Sequence, residues 1–338
     1  MHQSFIPACY FPSTALFIDD SRDFLLNFVL QLDEGVAYRI FDTPHRALDY
    51  IHSKSCALDL LSHSSINEYT STRDFAAVNA GNHLDLAAIH AEVYNPNRFA
   101  EISVVVVDYA MPGMNGLEFC RRIENSNIKK ILLTGQADEK LAIEAFNEGL
   151  IHRYIKKSDV NAAELITKSI YELQLQYFQA MSDMIVRMLS VNSPNCLRDK
   201  KFYSFFQQIC EEKRIIEYYL ADPSGSFFML DDDANTSFII VKSEQDLRWY
   251  YDFACSNGAS QEVLTALKNG DKIPLFPKSA LPETDWGNGL VPAKRIECNE
   301  PYYYAYLPGN VLFNVRQQKI LSYHRYLEEL DAEELLMS

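Results

Sequence analysis

Four short apolar runs in this chain each end in a side chain suited to phosphate chemistry. The side chains, each with the run before it, are Asp19 and Asp20 after residues 15–18, Asp108 after 104–107, Thr134 after 131–133, and Lys156 and Lys157 after 154–155. Carboxylates held close together repel one another, and a hard divalent cation such as Mg2+ relieves that repulsion. A metal, a hydroxyl and an ammonium can hold a phosphoryl group while a further carboxylate attacks it in line. These residue types therefore predict phosphoryl transfer onto a carboxylate, with Mg2+ as cofactor.

Parallel strands are the elements that can bring these side chains together. Residues 104–107 are four consecutive valines, which is typical of a central strand covered on both faces of a parallel sheet. Open α/β sheets place their functional side chains at the carboxyl ends of the strands. Helical patterns alternate with the apolar runs, at residues 23–32, 44–51, 116–125 and 138–149. The alternation predicts a doubly wound α/β domain.

From about residue 13 to about residue 159, these motifs resemble the receiver domain of two-component response regulators. The resemblance implies a five-stranded parallel (βα)5 domain of the flavodoxin-like type. It places Asp108 at the position that accepts the phosphoryl group, and Asp19 and Asp20 at the acidic metal pair. It implies that Mg2+ is bound by Asp19, Asp20, Asp108 and the backbone carbonyl of Ala110.

The same resemblance assigns three further residues and exposes one departure. Thr134 falls on the switch hydroxyl, Tyr154 on the switch aromatic, and Lys157 on the lysine that contacts the phosphoryl group. The family usually has Pro directly after that lysine, often with a cis peptide bond, whereas this chain has Ser158. A cis bond before a residue other than proline costs about 3 kcal/mol, so a trans bond with a differently aimed Lys157 is open, and Lys156 is the alternative.

A second departure is the 88-residue separation between Asp20 and Asp108, roughly twice what a receiver domain needs. It predicts an insertion at about residues 53–98 in which Ser and Thr are frequent, with a helix expected near 84–93. Two interpretations are open. The insertion is either a surface excursion, which costs little chain entropy, or a loop that binds a partner.

The last receiver helix begins near residue 160 and continues further than the sheet requires. Its apolar residues are spaced by three or four, in the order Ile166, Ile170, Leu173, Tyr177, Ala180 and Met184. This heptad-like spacing fits either a helix packed on the sheet and then on a second domain, or a helix that dimerises. We therefore expect a receiver domain at residues 1–160, a linker or dimerisation helix at 161–193, and an output domain at 194–338.

The predicted output domain alternates helices and strands in an α+β pattern. Strands are predicted at residues 217–221, 226–230 and 236–241, and helices at 200–213, 245–255, 261–268 and 321–336. Neither a basic recognition helix nor a signature of cyclic-dinucleotide chemistry is present. Its type and its ligand are therefore left open.

Composition narrows the functional class of the whole chain. Its net charge of −15 argues against broad attraction to nucleic acid or to an anionic membrane surface. The seven cysteines include no C-x-x-C pair, which fits reduced thiols in a cytosol. No run reaches the about 18 apolar residues that indicate a membrane span. We expect a cytoplasmic protein.

The resulting hypothesis is a response regulator that receives its phosphoryl group from a sensor histidine kinase or a histidine phosphotransfer protein. In length and overall plan the chain also resembles response regulators of the quorum-sensing type. Phosphorylation is expected to alter dimerisation or output activity, nucleic acid is not the expected partner, and the only chemistry is phosphorylation and slow dephosphorylation of Asp108. The alternative is a degenerate receiver fused to a domain that senses a ligand or nucleotide.

Overall fold

The structure is a computed structural model that describes residues 5–54, 87–135, 139–188, 194–276, 286, 289–298, 300–309 and 315–337. Most of the predicted insertion, residues 55–86, lies outside these ranges. Among the described helices, none is long and apolar enough to cross a membrane.

Strands and helices alternate along the first part of the chain and are more irregularly ordered after residue 194. The described strands are β1 (Cys9–Tyr10), β2 (Thr14–Ile18), β3 (Tyr38–Phe41), β4 (Ile102–Asp108), β5 (Lys129–Thr134), β6 (Arg153–Lys156), β7 (Ile215–Leu220), β8 (Phe227–Asp231), β9 (Thr236–Ser243), β10 (Lys272–Pro274), β11 (Leu290–Pro292), β12 (Lys294–Ile296) and β13 (Tyr302–Pro308). The described α-helices are α1 (Arg22–Val29), α2 (Pro44–Ser53), α3 (Ala87–Glu92), α4 (Gly116–Arg122), α5 (Glu139–Asn147), α6 (Ala162–Met188), α7 (Lys200–Lys213), α8 (Glu244–Ser256), α9 (Gln261–Asn269) and α10 (Tyr323–Met337).

The first sheet has five parallel strands in the order β3-β2-β4-β5-β6. Every residue of β2 and β4 is buried, as expected for central strands covered on both faces. Helices α1 and α6 contribute to one core with the sheet, in which Phe17, Val106 and Ile166 are almost fully buried. This confirms the predicted doubly wound receiver fold and brings the carboxyl ends of four strands to one edge.

Helix α6 carries the heptad-like seam noted in the sequence. Ile166, Ile170 and Leu173 are fully buried in the core of the first sheet, and Tyr177 is also fully buried. One chain therefore covers these four seam residues by itself, as the interpretation of a helix packed on its own sheet requires. That interpretation accounts for this part of the seam without a second copy.

The second sheet has six strands in the order β1-β7-β8-β9-β13-β12, and all of its pairs are antiparallel. Three of its strands lie close to the predicted ones, at β7, β8 and β9. A smaller cluster of buried aromatic and aliphatic residues forms around α8 and α9, with Tyr250 and Trp286 at its centre. This part of the chain therefore has the α+β class that the sequence predicts for residues 194–338.

The two structural units are not continuous in sequence. One consists of residues 11–63, 96–181 and 323–338, and the other of residues 1–10, 64–95 and 182–322. Helix α10 therefore belongs to the receiver unit. There the Tyr323 hydroxyl donates to the Gly35 carbonyl at 2.7 Å, and the Tyr326 hydroxyl lies 2.7 Å from Thr14 Oγ1.

The second unit in turn contains the last part of the predicted insertion. Helix α3, close to the helix expected at 84–93, packs on β7, and the buried His90 Nε2 lies 2.9 Å from the Leu220 carbonyl. The short strand β1 pairs with β7 through Cys9 and Tyr219. Residues 87–95 of the predicted insertion therefore belong to this unit, and the two interpretations of the insertion as a whole stay predictions.

Candidate active site

Two acids meet at the carboxyl edge of the parallel sheet because β2 and β4 are neighbours in register. Ile18 pairs with Val107, so Asp19, directly after β2, lies beside Asp108, the last residue of β4. Both are almost fully buried, at 1% and 4% exposure, whereas Asp20 is exposed. One carboxylate oxygen from each of Asp19, Asp20 and Asp108 lies within 4.8 Å of the other two.

Lys157 provides the positive charge of this cluster. Its Nζ lies 2.5 Å from Asp19 Oδ2 and 2.9 Å from Asp108 Oδ1. Its backbone N–H donates to the Thr134 carbonyl at 3.1 Å, which joins it to the end of β5. Lys156 instead forms an ion pair with Glu139 at 2.9 Å.

The described residues contain no cis peptide bond, so the bond between Lys157 and Ser158 is trans. The trans bond still allows the Lys157 ammonium to reach both acids, and the structure therefore brings Lys157, and not Lys156, into the cluster.

The electrostatics of the cluster follow from burial and from the excess of acids over bases. Burial raises the pKa of Asp19, and the hydrogen bonds from Lys157 and from the Ser21 N–H offset part of this rise. Burial alone lowers the pKa of Lys157, but its hydrogen bonds to Asp19 and Asp108 outweigh that effect and raise the pKa above its usual value. Lys157 is therefore a cation that its surroundings hold in the charged form.

Thr134 is the last residue of β5, and Tyr154 lies within β6, the next strand of the sheet. Thr134 is fully buried, and its Oγ1 has no hydrogen-bond partner among the described residues. Tyr154 is half-buried on β6, where its ring makes an edge-on contact with Phe146 at 6.4 Å between centroids. The structure thus places a free buried hydroxyl at the edge that carries Asp108. The switch roles of both residues stay predictions.

The loop after β4 is shaped by a close backbone approach. A Cβ at Gly116 would lie 2.3 Å from the Asp108 carbonyl oxygen, so only glycine fits at the start of α4. Asn115 caps this helix by accepting from the Glu118 N–H at 2.9 Å. Ala110, the predicted carbonyl ligand, lies exposed in this loop. The loop therefore stays close to Asp108 and leaves Ala110 accessible.

Two residues at the site were not singled out in the sequence. The Ser21 N–H donates to Asp19 Oδ1 at 2.9 Å, and its Oγ caps α1. Phe24, expected only to face the core, places its ring centroid 4.6 Å from Lys157 Nζ. A Ser at a helix start signals a cap, but no sequence signal indicates the contact between Phe24 and Lys157.

The donor set fits a hard divalent cation. Three carboxylates share one ammonium, so negative charge remains in excess at an edge that is open to solvent on the Asp20 side. Oxygen ligands of this kind suit Mg2+, which keeps several waters and needs few protein ligands. Asp19, Asp20 and Asp108 are the residues that would hold it.

Comparisons with known proteins agree with this geometry. A family model described as the response regulator receiver domain matches residues 71–169. That segment includes Asp108, Thr134 and Lys157, while the fold adds Asp19 and Asp20 from outside it. No curated protein matches the chain.

Among solved structures, the Legionella pneumophila response regulator LqsR is similar to this chain, with 64% sequence identity, a TM-score of 0.86, and coverage of 100% of both chains. A response regulator receiver domain protein from Clostridium thermocellum is 19% identical, with a TM-score of 0.33, and covers 50% of this chain and 98% of its own. An adenylate cyclase from Rhodopirellula baltica is 21% identical, with a TM-score of 0.36, and covers 52% and 98%. These last two similarities carry no weight for function. The full-length similarity to LqsR and the receiver match together show that this chain belongs to the two-component response regulators and has an N-terminal receiver domain.

Proposed function

We propose that the receiver unit is a working phosphorylation site in which Asp108 accepts a phosphoryl group from a phosphohistidine. The observation that carries the proposal is the placement of Asp108 at the end of β4, with the Lys157 ammonium 2.9 Å from its Oδ1. The donor is a sensor histidine kinase or a histidine phosphotransfer protein. A place in quorum sensing stays a prediction.

In the reaction, an oxygen of Asp108 attacks phosphorus, a P–O bond forms, and the P–N bond to the donor imidazole breaks. The ammonium of Lys157 balances charge on one phosphoryl oxygen as the group arrives, because it already lies at hydrogen-bond distance from Asp108. The unpartnered Thr134 hydroxyl can donate to a second oxygen. Mg2+, held by Asp19, Asp20 and Asp108 with the Ala110 carbonyl, would supply further positive charge.

After transfer, the new charge gives Thr134 a partner, and Tyr154 is proposed to move inward with it. Apolar side chains are already exposed on α5 and α6, namely Leu141, Phe146 and Leu165. They support a change in dimerisation, in the activity of the second unit, or in both. With a net charge of −15, the output is not DNA binding in this proposal, and the chain is not an enzyme for a separate substrate.

The test of phosphorylation is labelling by acetyl phosphate with Mg2+, comparing the unmodified chain with Asp108→Asn. We expect an acid-labile label on the unmodified chain that Asp108→Asn abolishes. Asp49→Asn makes the same chemical change at an exposed position of α2 and is expected to label normally. Undiminished labelling of Asp108→Asn would remove Asp108 from its proposed role.

The test of the output step is the mass of the chain by analytical ultracentrifugation with Mg2+ and beryllofluoride, which stands in for the phosphoryl group. We expect a dimer that Asp108→Asn prevents. An unchanged mass for a chain that labels on Asp108 would place the output within one chain.

A further inference from the structure

The ammonium of Lys157 has two carboxylates and an aromatic ring as neighbours. Its Nζ contacts Asp19 and Asp108, and it also lies over the Phe24 ring, 4.6 Å from the centroid. An ammonium within about 6 Å of an aromatic centroid is attracted by the negative face of the ring. The Lys157 side chain is only 27% exposed, so water screens this attraction only in part.

The Phe24 ring is itself fixed in place by the first turn of α1. The backbone N–H of Phe24 donates to Ser21 Oγ at 3.3 Å, and this bond caps the start of the helix. Its ring stacks on the buried Phe28 ring at 5.3 Å, with an interplanar angle of 27°. Phe24 therefore lies between a core residue and the Lys157 ammonium.

Ser21 links this ring to the acidic cluster. Its N–H donates to Asp19 Oδ1 at 2.9 Å, while Asp19 Oδ2 contacts Lys157. One residue thus orients both the carboxylate and the ring that face the same ammonium. These contacts act on Lys157 in a chain where Ser158, and not Pro, follows it through a trans bond.

We propose that Phe24 is a positioning residue for phosphoryl transfer, which holds the Lys157 ammonium at the point where the incoming phosphoryl oxygen is received. This inference rests on the proposed phosphorylation of Asp108. A purely structural role predicts that any apolar side chain of similar size serves equally well at position 24. The positioning role requires an aromatic ring.

The first experiment compares labelling rates with acetyl phosphate and Mg2+ for the unmodified chain, Phe24→Leu and Phe24→Tyr. Loss of one partly desolvated cation–ring contact should slow Phe24→Leu about fivefold, and Phe24→Tyr, which keeps the ring, should stay within about twofold of the unmodified chain. Phe24→Met, also without a ring, serves if Phe24→Leu does not fold. Phe205→Leu removes a half-buried ring from α7 in the other unit and should label at the unmodified rate.

The second readout needs neither Mg2+ nor phosphorylation. Lys157 Nζ lies over the Phe24 ring, so the NMR signals of the Hε protons on the adjacent carbon should be shifted upfield by the ring current. We expect this shift to vanish in Phe24→Leu and to persist in Phe24→Tyr and Phe205→Leu.

The outcomes separate the two proposals. The role of Phe24 is overturned if Phe24→Leu labels at the rate of the unmodified chain, or if Phe24→Tyr labels as slowly as Phe24→Leu. In either case Asp108 remains the acceptor. Absence of the upfield shift in the unmodified chain also overturns it. If the unmodified chain takes no label, the proposed function fails first, and the role of Phe24 fails with it.

Discussion

Each structural unit contains a lysine in contact with carboxylate, and the two clusters differ in how completely the carboxylates are paired. In the second unit, Lys242 Nζ lies 3.1 Å from Asp222 Oδ2, and the Lys242 side chain is 5% exposed. Asp222 also accepts from the backbone N–H groups of Ser224 and Ser226 and from the Ser226 hydroxyl, at 2.8 to 3.1 Å. One carboxylate therefore has four donors.

In the receiver unit, one lysine serves several acids. Lys157 contacts Asp19 and Asp108, Asp20 lies close by, and the nearby Thr134 hydroxyl donates to no described residue. In the Asp222 cluster the carboxylate is fully paired and stabilises a turn. The Lys157 cluster has more carboxylates than cations, and its Thr134 hydroxyl lacks an acceptor among the described residues, as the proposed binding of a cation and a phosphoryl group requires. The two clusters thus differ in how completely their carboxylates are paired, which agrees with a structural role for the Asp222 cluster and with the proposed reactive role for the Lys157 cluster.

The largest expected effect comes from breaking the complete cluster. Asp222→Asn leaves the Lys242 charge buried without its counter-charge, which should lower the free energy of unfolding by about 3 kcal/mol. Urea denaturation followed in the second unit measures the change. A loss below about 1 kcal/mol would show that the ion pair contributes no more than a surface pair and would weaken the comparison.

The next effect concerns Mg2+, which should stabilise only through the incomplete cluster. At ten to a hundred times its dissociation constant, the ion should raise the unfolding free energy of the receiver unit by about 1.4 to 2.7 kcal/mol. Chelation should remove this increment, and Asp19→Asn should reduce it. Asp222→Asn, though less stable overall, should keep the full increment, and its loss there would contradict the assignment of the metal to the receiver acids.

A smaller effect extends the comparison to two buried threonines at opposite edges of the receiver sheet. Thr14 Oγ1 donates to the Phe99 carbonyl and contacts the Tyr326 hydroxyl, whereas Thr134 Oγ1 has no described partner. Thr14→Val should therefore cost about 1 to 2 kcal/mol of unfolding free energy, while Thr134→Val should cost nothing or stabilise slightly. Equal losses in thermal or urea denaturation would mean that Thr134 has a partner in the free protein.

Sequence reasoning reached the receiver site because a single rule connects the residues with the place. Short apolar runs predict parallel strands, and parallel strands bring the residues at their carboxyl ends to one edge. Asp19, Asp20, Asp108, Thr134 and the pair Lys156 and Lys157 could be named in this way, whereas the choice of Lys157 over Lys156 came from the resemblance to receiver domains. The trans bond at Ser158 and the orientation of Lys156 toward Glu139 depend on local backbone and rotamer choices that spacing does not encode.

The same reasoning could not predict that segments of the two units alternate along the sequence. Strand β1 has two residues, too few to show any periodicity, and it is a strand only because β7 pairs with it. Helix α10 was predicted as a helix, but its attachment to the receiver depends on hydrogen bonds from Tyr323 to Gly35 and from Tyr326 to Thr14. These pairs are about 300 residues apart along the chain, and nothing local to either partner indicates the other.

The smallest expected effect is a dependence on pH that arises from Asp19. Burial, partly offset by Lys157 and Ser21, raises the pKa of Asp19 in the folded protein above its unfolded value. The folded state then binds the Asp19 proton more tightly than the unfolded state does, so the contribution of Asp19 to stability decreases as pH rises from the ordinary carboxyl range through the raised pKa.

The variant Asp19→Asn has no carboxyl proton to lose at this position. Without Mg2+, the variant should therefore become more stable relative to the unmodified chain across that window, and remain so above it. Urea denaturation at a series of pH values measures the difference, with Asp49→Asn as the exposed control. If the difference is constant, or changes sign so that the unmodified chain gains with rising pH, then the attraction of Lys157 outweighs burial, and the cluster is more completely paired than its geometry indicates.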